Sequence, residues 1–330
     1  MNLTSIYHHE IPEFLVQFAN TPAMLRLKQV GMHCGCEYTS FPIFKHLERY
    51  SRYDHSIGVA LIIYHFTKDI KQSLAGLFHD IATPSFSHVI DFLNNDHLTQ
   101  ESTEDGTKEI IEQDAQIQEL LQLYQLTTED VYDYHKYPIA DNDTPKLSAD
   151  RLEYTLNNMI NFNYANMEIV QAMYNDLLVT TNEFHEVELQ FQNLELAKQF
   201  AFGSLFCSKI YVSDEDRYSM QHLAELLKNA IDNNILTTLD LYQDEPTVIQ
   251  KLLKHPTFQK KWNHFQQLEM IDKQNYQQND DYRMILAKKR FINPYIQNTG
   301  RITTIDSNYQ KQLQEYLDYS FNYWICGRSL

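Results

Sequence analysis

The chain has 330 residues, 43% hydrophobic and 22% charged, ordinary figures for a globular protein that buries a real core. Its formal charge of -17 repels phosphate backbones and argues against a nucleic-acid scaffold, but it does not exclude a small anionic substrate, because a metal ion reverses the local potential. Only 8 Gly and 9 Pro leave too few tight turns for a β-sandwich and favour long helices with few breaks.

Residues 10–30 read as helical, with Pro22 opening a new segment. Residues 31–54 have no clean period and read as a long loop. Within it, Cys34-Gly35-Cys36 is too tight for a zinc knuckle. The four cysteines show no disulfide framework, and this pair reads as buried small residues. Ser56 to Lys68 has the pattern of a helix buried on several sides. The longest apolar run, Ile57 to Phe66, is too short to span a bilayer. No signal peptide is visible, so the expected compartment is the cytoplasm. Ile70 to Ile81 reads as a second helix stopped by Pro84, and Ser87 to Leu93 as a short third. Thr103 to Tyr124 is amphipathic. Thr127-Thr128-Glu129-Asp130 reads as a helix start, and Asp141 to Pro145 as a polar turn. Ser148 is placed to cap a helix through Asn158. Residues 165–180, 187–213 and 217–235 also read as helices. Lys288 to Ile296 has β-type composition suited to a small hairpin with the segment after Gly300. The expected fold is therefore all-α: a multi-helix core over residues 1–165, a helical C-terminal region over 166–330 that completes the substrate pocket, and the small β-hairpin.

A His-Asp dipeptide alone carries little information, but His79-Asp80 closes an apolar helix, Leu74 to Ile81. A buried carboxylate needs compensation, and a metal supplies it. His55 stands at the start of the preceding helix and Asp150 in the first turn of a later one, so three helix ends can converge. Two imidazoles and two carboxylates suit one divalent transition ion, Mn, Fe, Ni or Zn, with room for water and a phosphate oxygen. From the residues alone, a core histidine paired with an aspartate remains the competing reading.

The segment Arg52-Tyr53-Asp54-His55-Ser56-Ile57-Gly58-Val59-Ala60 resembles a family pattern R-x-x-H-S-x-G-V-A. His79-Asp80 followed by Pro84 and Phe86-Ser87-His88, and Ser148-Ala149-Asp150-Arg151-Leu152-Glu153-Tyr154, resemble its H-D and D-R-x-x-Y segments. Together, over residues 22–160, they resemble the HD-domain metal-dependent phosphohydrolases, in particular the deoxynucleoside triphosphate triphosphohydrolase branch. The resemblance implies metal ligands His55, His79, Asp80 and Asp150. It also implies that Gln29 and Val30 contact sugar and base, that Arg52 and Lys209 meet phosphate, and that Tyr154 packs on the deoxyribose. His88 is the catalytic histidine that the P-F-S-H match implies. Asn158 stands where an aspartate near the sugar is expected. Lys288-Lys289-Arg290 resembles a late K-K-R element, although such a trio is more often a solvated edge.

The departures matter. Ala82 and Thr83 replace an expected Gly and His, and Thr103 stands where a second histidine is expected, so the proton-transfer shell is thinned. His88 and His97 remain as substitutes, with His97 read as a solvated loop residue. The leading expectation is hydrolysis of a deoxynucleoside triphosphate to deoxynucleoside and tripolyphosphate. The alternatives are a nucleotide-binding regulatory protein of weak or no turnover, and a nucleoside monophosphatase or phosphodiesterase. The expected partner is a small nucleotide, with no nucleic acid or membrane, in a homo-oligomer.

Overall fold

A computed structural model describes residues 3–93 and 106–329. Its centre is a helix over Arg52–Thr67, packed against the helices Ile70–Phe78 and Ala149–Asn161. The first begins four residues before the predicted Ser56. The Ser51 side chain accepts the Asp54 amide while the Asp54 carboxylate accepts the Ser51 amide. That reciprocal cap satisfies two of the donors left open at a helix start. Asp69 caps the second helix by accepting the amides of Lys71 and Gln72. Ser148 caps the third by accepting the Arg151 amide.

Residues 10–30 form the helices Glu13–Ala19 and Pro22–Arg26 and a 3-10 turn at Leu27–Gln29. The amphipathic stretch divides into Thr107–Gln113 and Ala115–Leu123, because Asp114 leaves helical geometry to cap the second piece. Downstream, Met167–Asn175, Leu194–Ile210 and Asp214–Asp232 are helices.

The all-α expectation holds only approximately, since among the described residues six short strands form two small sheets. Leu177–Thr181 pairs antiparallel with Val187–Phe191, with Leu177 opposite Phe191, where helices were expected. Val187, Leu189 and Phe191 alternate at period two, and Val179, Thr180 and Thr181 are β-branched, so local preference favours strand. Phe191 continues onto Ile296, and Tyr295–Ile296 pairs with Gly300–Arg301. The hairpin foreseen near Gly300 is thus present but only two residues deep; 284–294 has no regular structure. Met270–Gln274 pairs antiparallel with Trp324–Arg328, which the sequence reading did not anticipate. One hydrophobic cluster includes residues from both sides of position 165, from Leu3 to Ile325. All four cysteines are buried free thiols. Among the described residues, no helix is long and apolar enough to cross a membrane.

Candidate metal centre

The structure clusters three of the four expected metal ligands, His55, His79 and Asp80, with ligand atoms all within 4.8 Å of one another, and places Asp150 beside the two histidines. His55 Nε2 lies 3.2 Å from His79 Nε2, 3.0 Å from Asp150 Oδ1 and 3.9 Å from Asp80 Oδ2. His79 Nε2 lies 3.5 Å from Asp80 Oδ2 and 3.8 Å from Asp150 Oδ1. Ligands about 2.1 Å from a common ion stand roughly 3.0 Å apart when octahedral neighbours and roughly 3.4 Å apart when tetrahedral, so His55, His79 and Asp80 are grouped closely enough to share one ion.

The hydrogen bonds around the cage fix the tautomers. His79 Nδ1 donates to the carbonyl of Gly76 at 2.7 Å, one of the carbonyls a helix end leaves unpaired. Its Nε2 therefore carries a lone pair. His55 Nδ1 donates to Glu153 Oε2 at 2.6 Å, so its Nε2 also faces the cage. The two Nε2 atoms and the Asp80 carboxylate then cluster, with Asp150 Oδ1 beside the histidines. Without a cation a proton must hold them together. Burial pulls the His55 pKa down, but the hydrogen bonds to Asp150 and Glu153 outweigh it and hold it at about 10. A metal ion held by these residues would take that proton's place. The donor set fits a divalent transition ion.

Asp80 is held from its other side. Arg52 Nη1 donates to both of its oxygens, at 2.9 and 3.2 Å, and Thr83 Oγ1 donates to Oδ1 at 2.8 Å. Burial pushes the Asp80 carboxyl up, but Arg52, His79 and His55 outweigh it and keep it ionised well below the usual carboxylate range. Thr83, read in the sequence as a missing histidine, here orients a ligand instead. Arg26 fixes the same turn by donating to the carbonyls of Ile81 and Thr83. Arg52 Nε also donates to Ser87 Oγ at 3.0 Å, and Ser87 donates to the Gly31 carbonyl at 2.9 Å. Arg52 was expected to meet phosphate; two of its three nitrogens are spent inside the protein.

Sequence reasoning gave no role to Glu153. It is buried, and besides His55 it accepts from Tyr50, from Tyr7 at 3.4 Å and from Asn157 at 2.5 Å. It sits three residues after Asp150, on the same helix face, and that spacing was the available signal. Gly58 makes the fit possible: a Cβ there would come within 2.5–2.8 Å of the Glu153 side chain. Gly58→Ala is therefore expected to destabilise the fold by about 1–3 kcal/mol through overpacking, and Glu153→Gln to weaken metal affinity about 10–100-fold through loss of the His55 support. Denaturant unfolding and metal titration check the two effects separately.

The cage opens into a cavity of about 180 Å³. His88, Tyr154 and Asn158 line it, as do Arg52, Lys288 and Arg290. Gln29, Val30 and Lys209 do not line it. Gln29 accepts a hydrogen bond from Arg49, the Val30 side chain is fully buried in the core, and Lys209 is exposed. Asn158 accepts from His33 Nε2 at 3.2 Å and donates to the Tyr211 hydroxyl at 2.8 Å. Burial pulls His33 down to about 4, against the pull of Asn158, so it stays neutral at pH 7. His88 Nδ1 donates to the fully buried Asp91, Oδ2, at 2.9 Å. Phe86 and Ser87, just before it, both take left-handed backbone with φ 64° and 52°, a strained turn held by the Ser87 bonds. His97 and Thr103 lie outside the described residues.

Residues 52–152 match the HD domain family. The matched segment contains all four expected ligands and His88. The chain is 27% identical over 209 residues to the uncharacterized protein YdhJ of Bacillus subtilis, covering 61% of each chain. It is 25% identical over 133 residues to the metal-dependent phosphohydrolase cns2 of Cordyceps militaris, covering 39% of this chain and 37% of that one. Both matches span less than two thirds of the relatives' own length.

Proposed function

We propose that the chain is a metal-dependent phosphohydrolase acting on a nucleotide phosphate bond. The observation that carries this reading is the buried cluster of His55, His79 and Asp80, with Asp150 beside the two histidines, at a cavity that His88 and three cationic side chains also line. The HD domain match and the likeness to a protein named as a metal-dependent phosphohydrolase support it. A divalent ion in the cage supplies Lewis acidity and a lowered water pKa. His88 has Nδ1 committed to Asp91, so in its protonated form Nε2 holds the proton that can pass to a leaving oxygen. Tyr154 and Asn158 supply an aromatic wall and a polar contact for the sugar.

Within this reading a deoxynucleoside triphosphate is the first substrate class. A nucleoside monophosphate or phosphodiester is the second, favoured by the exposure of Lys209 outside the cavity, which removes one expected polyphosphate contact. Metal-loaded protein offered a nucleotide panel is expected to release tripolyphosphate under the first, and orthophosphate or an alcohol without phosphate chains under the second. Nucleotide binding with no product of any kind would leave the regulatory reading.

A further inference from the structure

We propose that Lys288 and Arg290 form the phosphate clamp of the cavity, delivered from the C-terminal region to a cage built by the HD domain. The inference takes its substrate class from the phosphohydrolase reading, but it concerns anion binding and is testable without turnover.

Both residues line the cavity together with the cage ligands. They lie in a stretch without helix or strand. Lys289, between them, turns to the opposite side: its ammonium donates to the carbonyls of Leu317 and Tyr319. The stretch is held in place by its own backbone. Tyr316 donates to the Arg290 carbonyl at 3.2 Å and Tyr309 to the Ile292 carbonyl at 2.6 Å. The Asn293 amide donates to the Pro145 carbonyl at 2.9 Å, close in sequence to the cap of the Asp150 helix. The register that sends 288 and 290 to the cavity is thus fixed at several points.

Two other cations were expected at phosphate. Arg52 is committed to Asp80 and Ser87, and Lys209 lies outside the cavity. Lys288 is exposed and Arg290 half-buried, so an anion can approach both from solvent. An anion entering the cavity meets these two cations and Arg52 on a wall that also carries Asp80, Asp150 and Asp216. A guanidinium meets phosphate oxygens in pairs, and an ammonium adds a point charge.

The test is calorimetric titration of inorganic phosphate into the full chain loaded with Mn²⁺. The parent is expected to bind phosphate. Lys288→Gln and Arg290→Gln are each expected to raise the Kd about 10–100-fold, the range for losing one charged hydrogen-bonding partner, with metal content unchanged by elemental analysis. Arg290→Lys should recover part of the loss, since charge remains while paired bonding does not. Lys289→Gln should leave the Kd unchanged. Because Lys288 is exposed, Lys288→Gln retains the fold even if a change at Arg290 does not. A parent that binds no phosphate, or a Lys288→Gln protein with parental Kd, overturns the clamp. Phosphate binding that depends on both cations, in a protein that hydrolyses no phosphoester, supports the clamp and removes the phosphohydrolase reading.

Discussion

Asp80→Ala is expected to empty the cage, reduce hydrolysis to background and destabilise the protein even in buffer containing a chelator. The first two effects follow from losing one of four ligands. The third follows from what stands behind Asp80. Arg52 is buried, and its Nη1 lies 2.9 Å from the Asp80 carboxylate, with the two side chains only 8% and 7% exposed. Removing one partner of such a pair leaves an uncompensated buried charge, at a cost of about 3–5 kcal/mol. A ligand with no other task would behave differently: its loss would lower only the stability of the metal-bound form, because an ion that binds the native state stabilises it by mass action. Thermal unfolding with and without chelator separates the two. The parent should lose stability when chelated. Asp80→Ala should be less stable than the chelated parent and insensitive to the chelator. If it retains metal as the parent does, Asp80 is not a ligand. If it matches the chelated parent, the Arg52 pair contributes nothing to stability.

The same double role explains what the sequence could show. The proximity of His55, His79, Asp80 and Asp150 was legible because each sits at a helix end marked by local signals. Ser148 as a cap, the apolar run into His79 and Pro84 beyond it are all readable within a few residues. The helix bearing His55 was started late at Ser56, although Ser51 and Asp54 spell a capping box. The partners that orient the ligands were mostly not legible, because they come from distant segments. Tyr50 and Tyr7 reach Glu153 from 103 and 146 residues away, and no spacing rule connects them. Which side chains line the cavity was equally hard to read. Lys209 and Lys288 are both exposed lysines, and only the path of the chain places one at the cavity and leaves the other outside. The hairpin over 177–191 was misread because a helical window averaged over its period-two pattern. Its β-branched residues and the Asn182–His185 turn, where Asn182 Oδ1 accepts the amides of Phe184 and Glu186, were the signals to weigh.

His88→Gln is expected to slow hydrolysis of a natural nucleotide about 10²–10⁴-fold, the usual contribution of a positioned proton donor, while changing hydrolysis of bis(p-nitrophenyl) phosphate little. The activated ester loses a stable phenolate and needs no proton; a nucleotide's leaving oxygen does. The pH dependence carries the same signature. Burial lowers the His88 pKa from the ordinary 6.5, Asp91 raises it, and Arg52 and Arg290 lower it again, so the net shift is downward. The proton-donating form is present below that pKa and lost above it. Turnover of the nucleotide should therefore decline as pH rises through the His88 pKa, and the activated ester should lack that decline. Thr83→His sharpens the point. By sequence it would restore a proton-transfer histidine. In the structure Thr83 is fully buried and its hydroxyl holds Asp80 at 2.8 Å. An imidazole in that space both overpacks it and frees the ligand, so the swap should weaken metal binding and lower the rate on both substrates. A Thr83→His protein that hydrolyses the nucleotide faster than the parent would return Thr83 to the role of a lost catalytic residue. Equal slowing of both substrates by His88→Gln would show that His88 does not protonate the leaving group.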